Sequence, residues 1–159
     1  MRVYRLNRKK YRDHAYEGIG ARDYPGRWNL AGTPIVYTSA TLSLAFLELF
    51  VHLPTITLKS LHREYESIPA DLACEVYDVD LASLPPDWRA LSTLPRSTQE
   101  LGTQWMKELK YVAVSVPSAV FPGERNYLLN PNHPDFRKSC SIRPEQPIFP
   151  DPRILEKLA

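Results

Sequence analysis

Proline does most to limit what this chain can fold into. Fifteen of its 159 residues are proline, and most of them gather at 85–95, 117–134 and 144–152. Proline fixes φ and removes a backbone donor, so these stretches are expected to be loops and extended segments. Regular structure is left to the intervals between them. The expected architecture is short elements joined by substantial ordered loops.

The intervals can be read in turn. A weak alternation predicts a first strand over 2–6. Residues 7–33 show no sustained period and carry Gly18, Gly20, Gly26 and Gly32, which predicts a long structured loop. Tyr16, Tyr24 and Trp28 argue that this loop is ordered, and ordered long loops are usually functional. A short strand is expected at 35–37. Ser39 or Thr41 can then cap a helix over 42–53, ended by Pro54. A strand follows at 72–79, then a proline-rich connection over 80–96. Ser97 and Glu100 have the spacing of a capping box opening a helix that runs to about Lys110. The β-branched run 111–116 predicts a central strand, 126–129 another, and 151–158 a closing helix. The class is α+β.

Composition narrows the function. Hydrophobic residues make up 43% and charged residues 24%, as in ordinary globular proteins, and the length suits one domain over 1–159. The net charge of +2 is too small to argue for nucleic acid or a membrane as the partner, and neither is expected. Arg2, Arg5, Arg8, Lys9, Lys10 and Arg12 nevertheless crowd the first dozen positions. Such a run is a solvated face or a phosphate-attracting one. Cys74 and Cys140 form no Cys-x-x-Cys pair or disulfide framework. The charged N-terminal stretch lacks a secretory pattern, and 42–53 is too short to span a bilayer. A soluble, reducing, cytoplasmic setting is expected.

Four side chains stand out for chemistry. Glu48 lies in an apolar helix, with Leu44, Ala45, Val51 and His52 three and four positions away. A carboxylate there either pairs with His52 on an exposed stripe or is aimed into a cleft. It has no metal-binding companions at the usual spacings, and His14, His52, His62 and His133 have none among themselves. Arg27, after Gly26, can recognise phosphate in bidentate fashion or pair with a structural acid. Tyr37 ends a strand just before the Glu48 helix and is either core or a stacking platform. Ser118 follows the proline-marked end of the β run. No G-x-S-x-G elbow surrounds it, so it reads as a hydrogen-bonding group. There is no G-x-G-x-x-G and no P-loop.

Taken together, Tyr4-Arg5-Leu6, Gly26-Arg27-Trp28-Asn29, the stretch from Gly32 to Ser39, Leu44-Ala45-Phe46-Leu47-Glu48, Val116-Pro117-Ser118 and the stretch from Asn126 to Pro131 resemble the RES domain. That family is named for its arginine, glutamate and serine. The resemblance covers about residues 1–145. It implies an ADP-ribosyltransferase-like fold, with short strands in a small split β core flanked by helices. It implies the toxin half of a bacterial toxin–antitoxin pair, acting on NAD as substrate without a metal. Glu48 and Arg27 would be catalytic. Arg5, Arg27, Tyr37 and Ser118 would bind NAD, with Ser115 as the other candidate for the family serine. The implied partner is an antitoxin with a helix-turn-helix part and a part that caps the toxin. A protein substrate and a homodimer within the complex stay open.

Cleaving the nicotinamide–ribose bond builds positive charge on the ribose, which a carboxylate can oppose. Arg27 would hold the pyrophosphate, Tyr37 would stack on nicotinamide, and Ser118 would bond the ring or its amide. Water, phosphate or a protein side chain could accept the ADP-ribose. Two other readings are a nucleic-acid-acting toxin, with Tyr4, Tyr11 and Tyr16 interleaved in the basic run, and a non-catalytic partner-binding module.

Overall fold

The computed structural model describes residues 1–53, 61–91 and 93–156. Its eight strands form one sheet, in the order β4-β5-β6-β2-β1-β3-β7, with β8 also on β3. The strands are β1 (Arg2–Arg8), β2 (Val36–Ser39), β3 (Tyr65–Leu72), β4 (Val76–Asp78), β5 (Ala113–Pro117), β6 (Arg125–Leu129), β7 (Cys140–Ile142) and β8 (Gln146–Pro147). The helices are α1 (Ile19–Asp23), α2 (Leu42–Phe50), α3 (Leu61–Glu64), α4 (Arg96–Glu108), α5 (Phe136–Ser139) and α6 (Pro152–Glu156). The α+β class is therefore realised.

The sheet is split. β1 lies against β3 along its whole length, from Arg2 opposite Asp71 to Arg8 opposite Tyr65. It meets β2 only at Tyr4 opposite Ser39. One half is β4-β5-β6-β2 and the other is β1-β3 with β7 and β8, and the two diverge from that single pair. Among the described strands only β4 and β5 run parallel.

Alternation along the strands sends apolar side chains to separate cores. Val114, Val116 and Leu128 pack with Trp28, Ile35, Val79, Leu84 and Met106 beneath α4. Val3, Val36, Ile68, Ala70, Ala113 and Leu129 pack on the other side with Tyr16, Phe136 and Cys140. β5 is buried throughout, so it reads as a continuous apolar run, as strands covered on both faces do. A third cluster joins Leu61, Tyr65 and Ile148 to Leu6 and to Phe46, Leu49 and Phe50 of α2.

Several boundaries differ from expectation. The strand expected at 72–79 is two elements: Leu72 ends β3, and β4 begins at Val76. β3 itself was hidden by Glu66, Ser67 and Pro69. Glu66 is buried but paired with Arg12. Pro69 lies between the segments that pair with β8 and β7, where its missing N–H is not needed. The 7–33 stretch contains the end of β1, a 3₁₀ turn at Lys9–His14 and α1. Thr41, not Ser39, caps α2, accepting from Leu44 N at 3.0 Å. That helix ends at Phe50, and Pro54 lies outside the described residues. The Ser97–Glu100 capping box does not form, because α4 already starts at Arg96 after Pro95. Ser97 Oγ donates to Asp87 instead, at 2.7 Å, and Glu100 pairs with Arg96. The closing helix is Pro152–Glu156, and residues 157 and 158 lie outside the described ones.

The basic N-terminal run is largely used internally. Arg2 pairs with Asp71 at 2.8 Å, and Arg12 pairs with Glu66 and Glu145. Arg8 donates to the Tyr65 hydroxyl and lies over its ring. Tyr16 is buried with its hydroxyl on Ile68 O, and Tyr4 is half-buried, leaving Tyr11 as the exposed one of the three tyrosines. Among the described residues no helix is long and apolar enough to cross a membrane.

Candidate active site

Register explains why distant residues meet. Residues directly opposite in a sheet share a face, as do residues two apart on a strand. Tyr37 opposes Leu128 and Ser39 opposes Asn126. Leu128 opposes Val114 and Asn126 opposes Val116. Ser118 follows two residues after Val116, so Tyr37, Ser39, Asn126 and Ser118 project from one face. Tyr4, opposite Ser39, belongs to it too. α2 starts after a two-residue link from β2, under its Thr41 cap, and brings Glu48 over this face.

Glu48 is half-buried, and its Oε1 accepts two hydrogen bonds. Ser118 Oγ donates at 2.7 Å and Asn126 Nδ2 at 2.5 Å. Its Oε2 accepts none among the described residues. His52 is exposed, and the carboxylate is held by the sheet instead of by that neighbour. Glu48 thus has one saturated oxygen and one available oxygen.

Ser118 is fully buried. Its Oγ accepts from Val120 N at 3.1 Å and Phe121 N at 2.9 Å while donating to Glu48. Its single hydroxyl proton is given to the carboxylate, so in this arrangement Ser118 holds Glu48. Ser115 lies on the opposite face, where Arg125 Nε donates to its Oγ at 2.9 Å. Of the two serines, only Ser118 reaches Glu48.

Arg27 sits in the segment 26–30, which is fastened to α4. Gln99 Nε2 donates to Gly26 O at 2.9 Å, Thr98 Oγ1 to Arg27 O at 2.8 Å, and Leu30 N to Thr103 Oγ1 at 2.9 Å. The guanidinium donates to Trp88 O at 2.7 Å and Ala90 O at 3.0 Å. The proline-rich connection thus provides the carbonyls that orient it, while Arg89 Nε ties the same connection to Ala119 O, beside Ser118. Burial lowers the Arg27 pKa from its ordinary value, with Glu48 and Tyr37 opposing that shift. The side chain stays cationic at neutral pH. Among the described residues no ion pair joins Arg27 to Glu48, so the two charges interact across a gap.

Tyr37 is half-buried, with its phenol end enclosed. The hydroxyl accepts from Trp28 N at 3.0 Å and donates to Asn29 Oδ1 at 2.8 Å. Burial raises its pKa, so the phenol is neutral. Gly26 is glycine because of this ring: a Cβ there would lie 2.8 Å from the Tyr37 hydroxyl oxygen. Tyr37 therefore holds the loop that carries Arg27.

Arg5 stands apart. It shares the strand face of Val3, and its Nη1 reaches Tyr37 O at 3.0 Å near the split in the sheet. Its Nε is buried with no hydrogen-bond partner among the described residues. Burial lowers its pKa, and Tyr16 opposes the shift. Its link to the cluster is the Tyr37 carbonyl. Asn126 was not singled out from sequence, since its approach to Glu48 depends on the β2–β6 register. Among the described residues no group of three or more His, Cys, Asp or Glu could hold a metal ion.

This arrangement offers an oriented cation, an anion with one free oxygen and an aromatic ring between fixed loops. Residues 2–151 match the RES domain family. A protein named Toxin Res from Photorhabdus laumondii is 38% identical over 140 residues, covering 87% of this chain and 86% of the relative. A Prs ADP-ribosylating toxin from Sphingobium is 32% identical over 151 residues, covering 94% and 92%. In fold, the chain resembles one in the crystal structure of the Mycobacterium tuberculosis MbcT–MbcA toxin–antitoxin complex. The TM-score is 0.69 at 19% identity, covering 99% of this chain and 87% of that one.

Proposed function

The chain belongs to the RES domain family, and from that premise we propose that it is the toxin of a toxin–antitoxin pair and cleaves the nicotinamide–ribose bond of NAD. The observation that carries this reading is the state of Glu48: Oε1 is held by Ser118 and Asn126, and Oε2 is left for a ligand. The names of the similar toxins support the toxin role, and the toxin–antitoxin complex of similar fold supports an antitoxin as partner.

NAD suits the groups present. Arg27 has more N–H groups than the two it gives to Trp88 and Ala90, and it binds the pyrophosphate. The Tyr37 ring stacks on the nicotinamide while its hydroxyl keeps the Arg27 loop in place. Arg5, reaching the Tyr37 carbonyl, braces the same strand, and the family resemblance would give it a role toward the adenosine end of NAD.

As the glycosidic bond breaks, its electron pair leaves with nicotinamide, which becomes neutral, and positive charge develops on the ribose. Glu48 Oε2 accepts a hydrogen bond from a ribose hydroxyl and opposes that charge. This stabilises the transition state more than the ground state, as catalysis requires. Nicotinamide is a good leaving group, so no strong acid is needed. An acceptor, which is water, phosphate or a protein side chain, then attacks the ribose carbon and releases its proton to solvent. The Sphingobium relative's name favours a protein acceptor. Two free cysteines, one buried, suit a reducing cytoplasm.

The test is to incubate the purified chain, freed of any antitoxin, with labelled NAD and a cell lysate. Nicotinamide release with label on one protein band establishes transfer. Release with only small-molecule products establishes NAD degradation. No release overturns the reading.

A further inference from the structure

We propose that Asn126 is a positioning residue for the reaction, one that selects which oxygen of Glu48 acts. This inference rests on the proposed NAD cleavage. Asn126 projects from β6 toward α2, and its Nδ2 donates to Glu48 Oε1 at 2.5 Å. On its other side, Ser39 Oγ donates to Asn126 Oδ1 at 2.7 Å. Both ends of the amide are therefore engaged, one by a strand neighbour and one by the carboxylate.

The polarity of this chain follows from charge. An amide turned by 180° would present Oδ1 to Glu48, and two acceptors would then face each other. With the carboxylate ionised, only the orientation with Nδ2 toward Glu48 is favourable, and Ser39 must donate to Oδ1. A hydroxyl and an amide N–H converge on a single oxygen. Ser118 approaches from the turn after β5 and Asn126 from β6, so Oε1 is pinned from two elements. The carboxyl group cannot rotate to exchange its oxygens without breaking both bonds. Oε2 is thus the oxygen that meets the ribose, at a position set by the sheet.

Removing the Asn126 amide leaves Oε1 with Ser118 alone and lets the carboxyl group turn. Asn126→Ala is expected to lower kcat for nicotinamide release about tenfold to hundredfold, as small misplacements of catalytic groups do. The KM for NAD stays near that of the wild type, because Arg27 and Tyr37 are untouched. The decisive comparison is in a Glu48→Gln background, where Asn126→Ala should cost nothing further, since the group it positions is gone. Ser39→Ala, which unpins the amide without removing it, should give a smaller kcat loss with the same dependence on Glu48. It carries the test if Asn126→Ala does not fold. Equal loss in both backgrounds, a change in KM alone or no loss of kcat overturns the assignment. If Glu48→Gln alone keeps full activity, the proposed role of Glu48 fails first, and that result is distinct from a failure of Asn126.

Discussion

Gly102→Ala is a severe test of how the Arg27 loop is held. In most helices this change stabilises, by about 1 kcal/mol. Here an added Cβ would lie 2.0 Å from Trp28 O, whereas ordinary contact begins at 3.4 Å. The difference, 3.4 − 2.0, means that α4 and the 26–30 segment must part by about 1.4 Å. That separation stretches the bonds of Thr98, Gln99 and Thr103 to the segment. Three neutral hydrogen bonds are worth about 1 kcal/mol each. With overpacking of about 1–3 kcal/mol added and the helix preference offset, the expected loss is about 3–5 kcal/mol. For a chain of this size the melting temperature should fall by about 6–20 °C. Nicotinamide release should fall with it, because Arg27 moves. Scanning calorimetry and an NAD assay measure both effects, with Gly20→Ala as control, where a Cβ meets nothing within 4 Å. A Gly102→Ala protein with unchanged or raised melting temperature and full activity would refute the reasoning.

Other perturbations probe separate parts of the account. Arg27→Lys loses the planar fork that serves two carbonyls and a phosphate together, so the KM for NAD should rise about tenfold or more; an unchanged KM counts against the pyrophosphate role. Arg2 and Arg143 hold the Asp71 carboxyl well below the usual carboxylate range. Its stabilising contribution is therefore present above about pH 4 and is lost as pH falls through the folded pKa. The melting-temperature gap between wild type and Asp71→Asn should be present at neutral pH and close on strong acidification, and a gap that widens in acid contradicts the sign. Burial pushes the Cys140 thiol up to about 11 and raises Cys74 as well, so neither should alkylate quickly at neutral pH in the folded protein. Rapid labelling of Cys140, followed by mass spectrometry, would contradict its enclosure.

Some of this was legible in the chain itself. α2 announced itself by an apolar run with a lone carboxylate, and Thr41 stood where a cap belongs. The choice between Ser115 and Ser118 stayed open in the sequence: their opposite strand parity separates them, but which face meets Glu48 follows only from the structure, where Ser115 faces Arg125 and Ser118 reaches Glu48. β3 was not readable, because Glu66 and Pro69 suit a central strand only after Arg12 and the β7–β8 gap are known. Gly26 suggested a tight turn, but its reason is the Tyr37 ring. Asn126 could not be found locally, since its contact with Glu48 spans 78 positions. Likewise, nothing near 88–90 marks those carbonyls as the seat of Arg27, because any residue provides a carbonyl.

The most direct measurement compares wild type and Glu48→Gln for NAD binding and nicotinamide release side by side. Gln keeps the size of the side chain but removes the charge. NAD should bind the variant with an affinity near that of wild type, while release falls about a hundredfold to a thousandfold, as when one preorganised group is removed. Release at the wild-type rate from a folded Glu48→Gln protein would contradict the account at its centre.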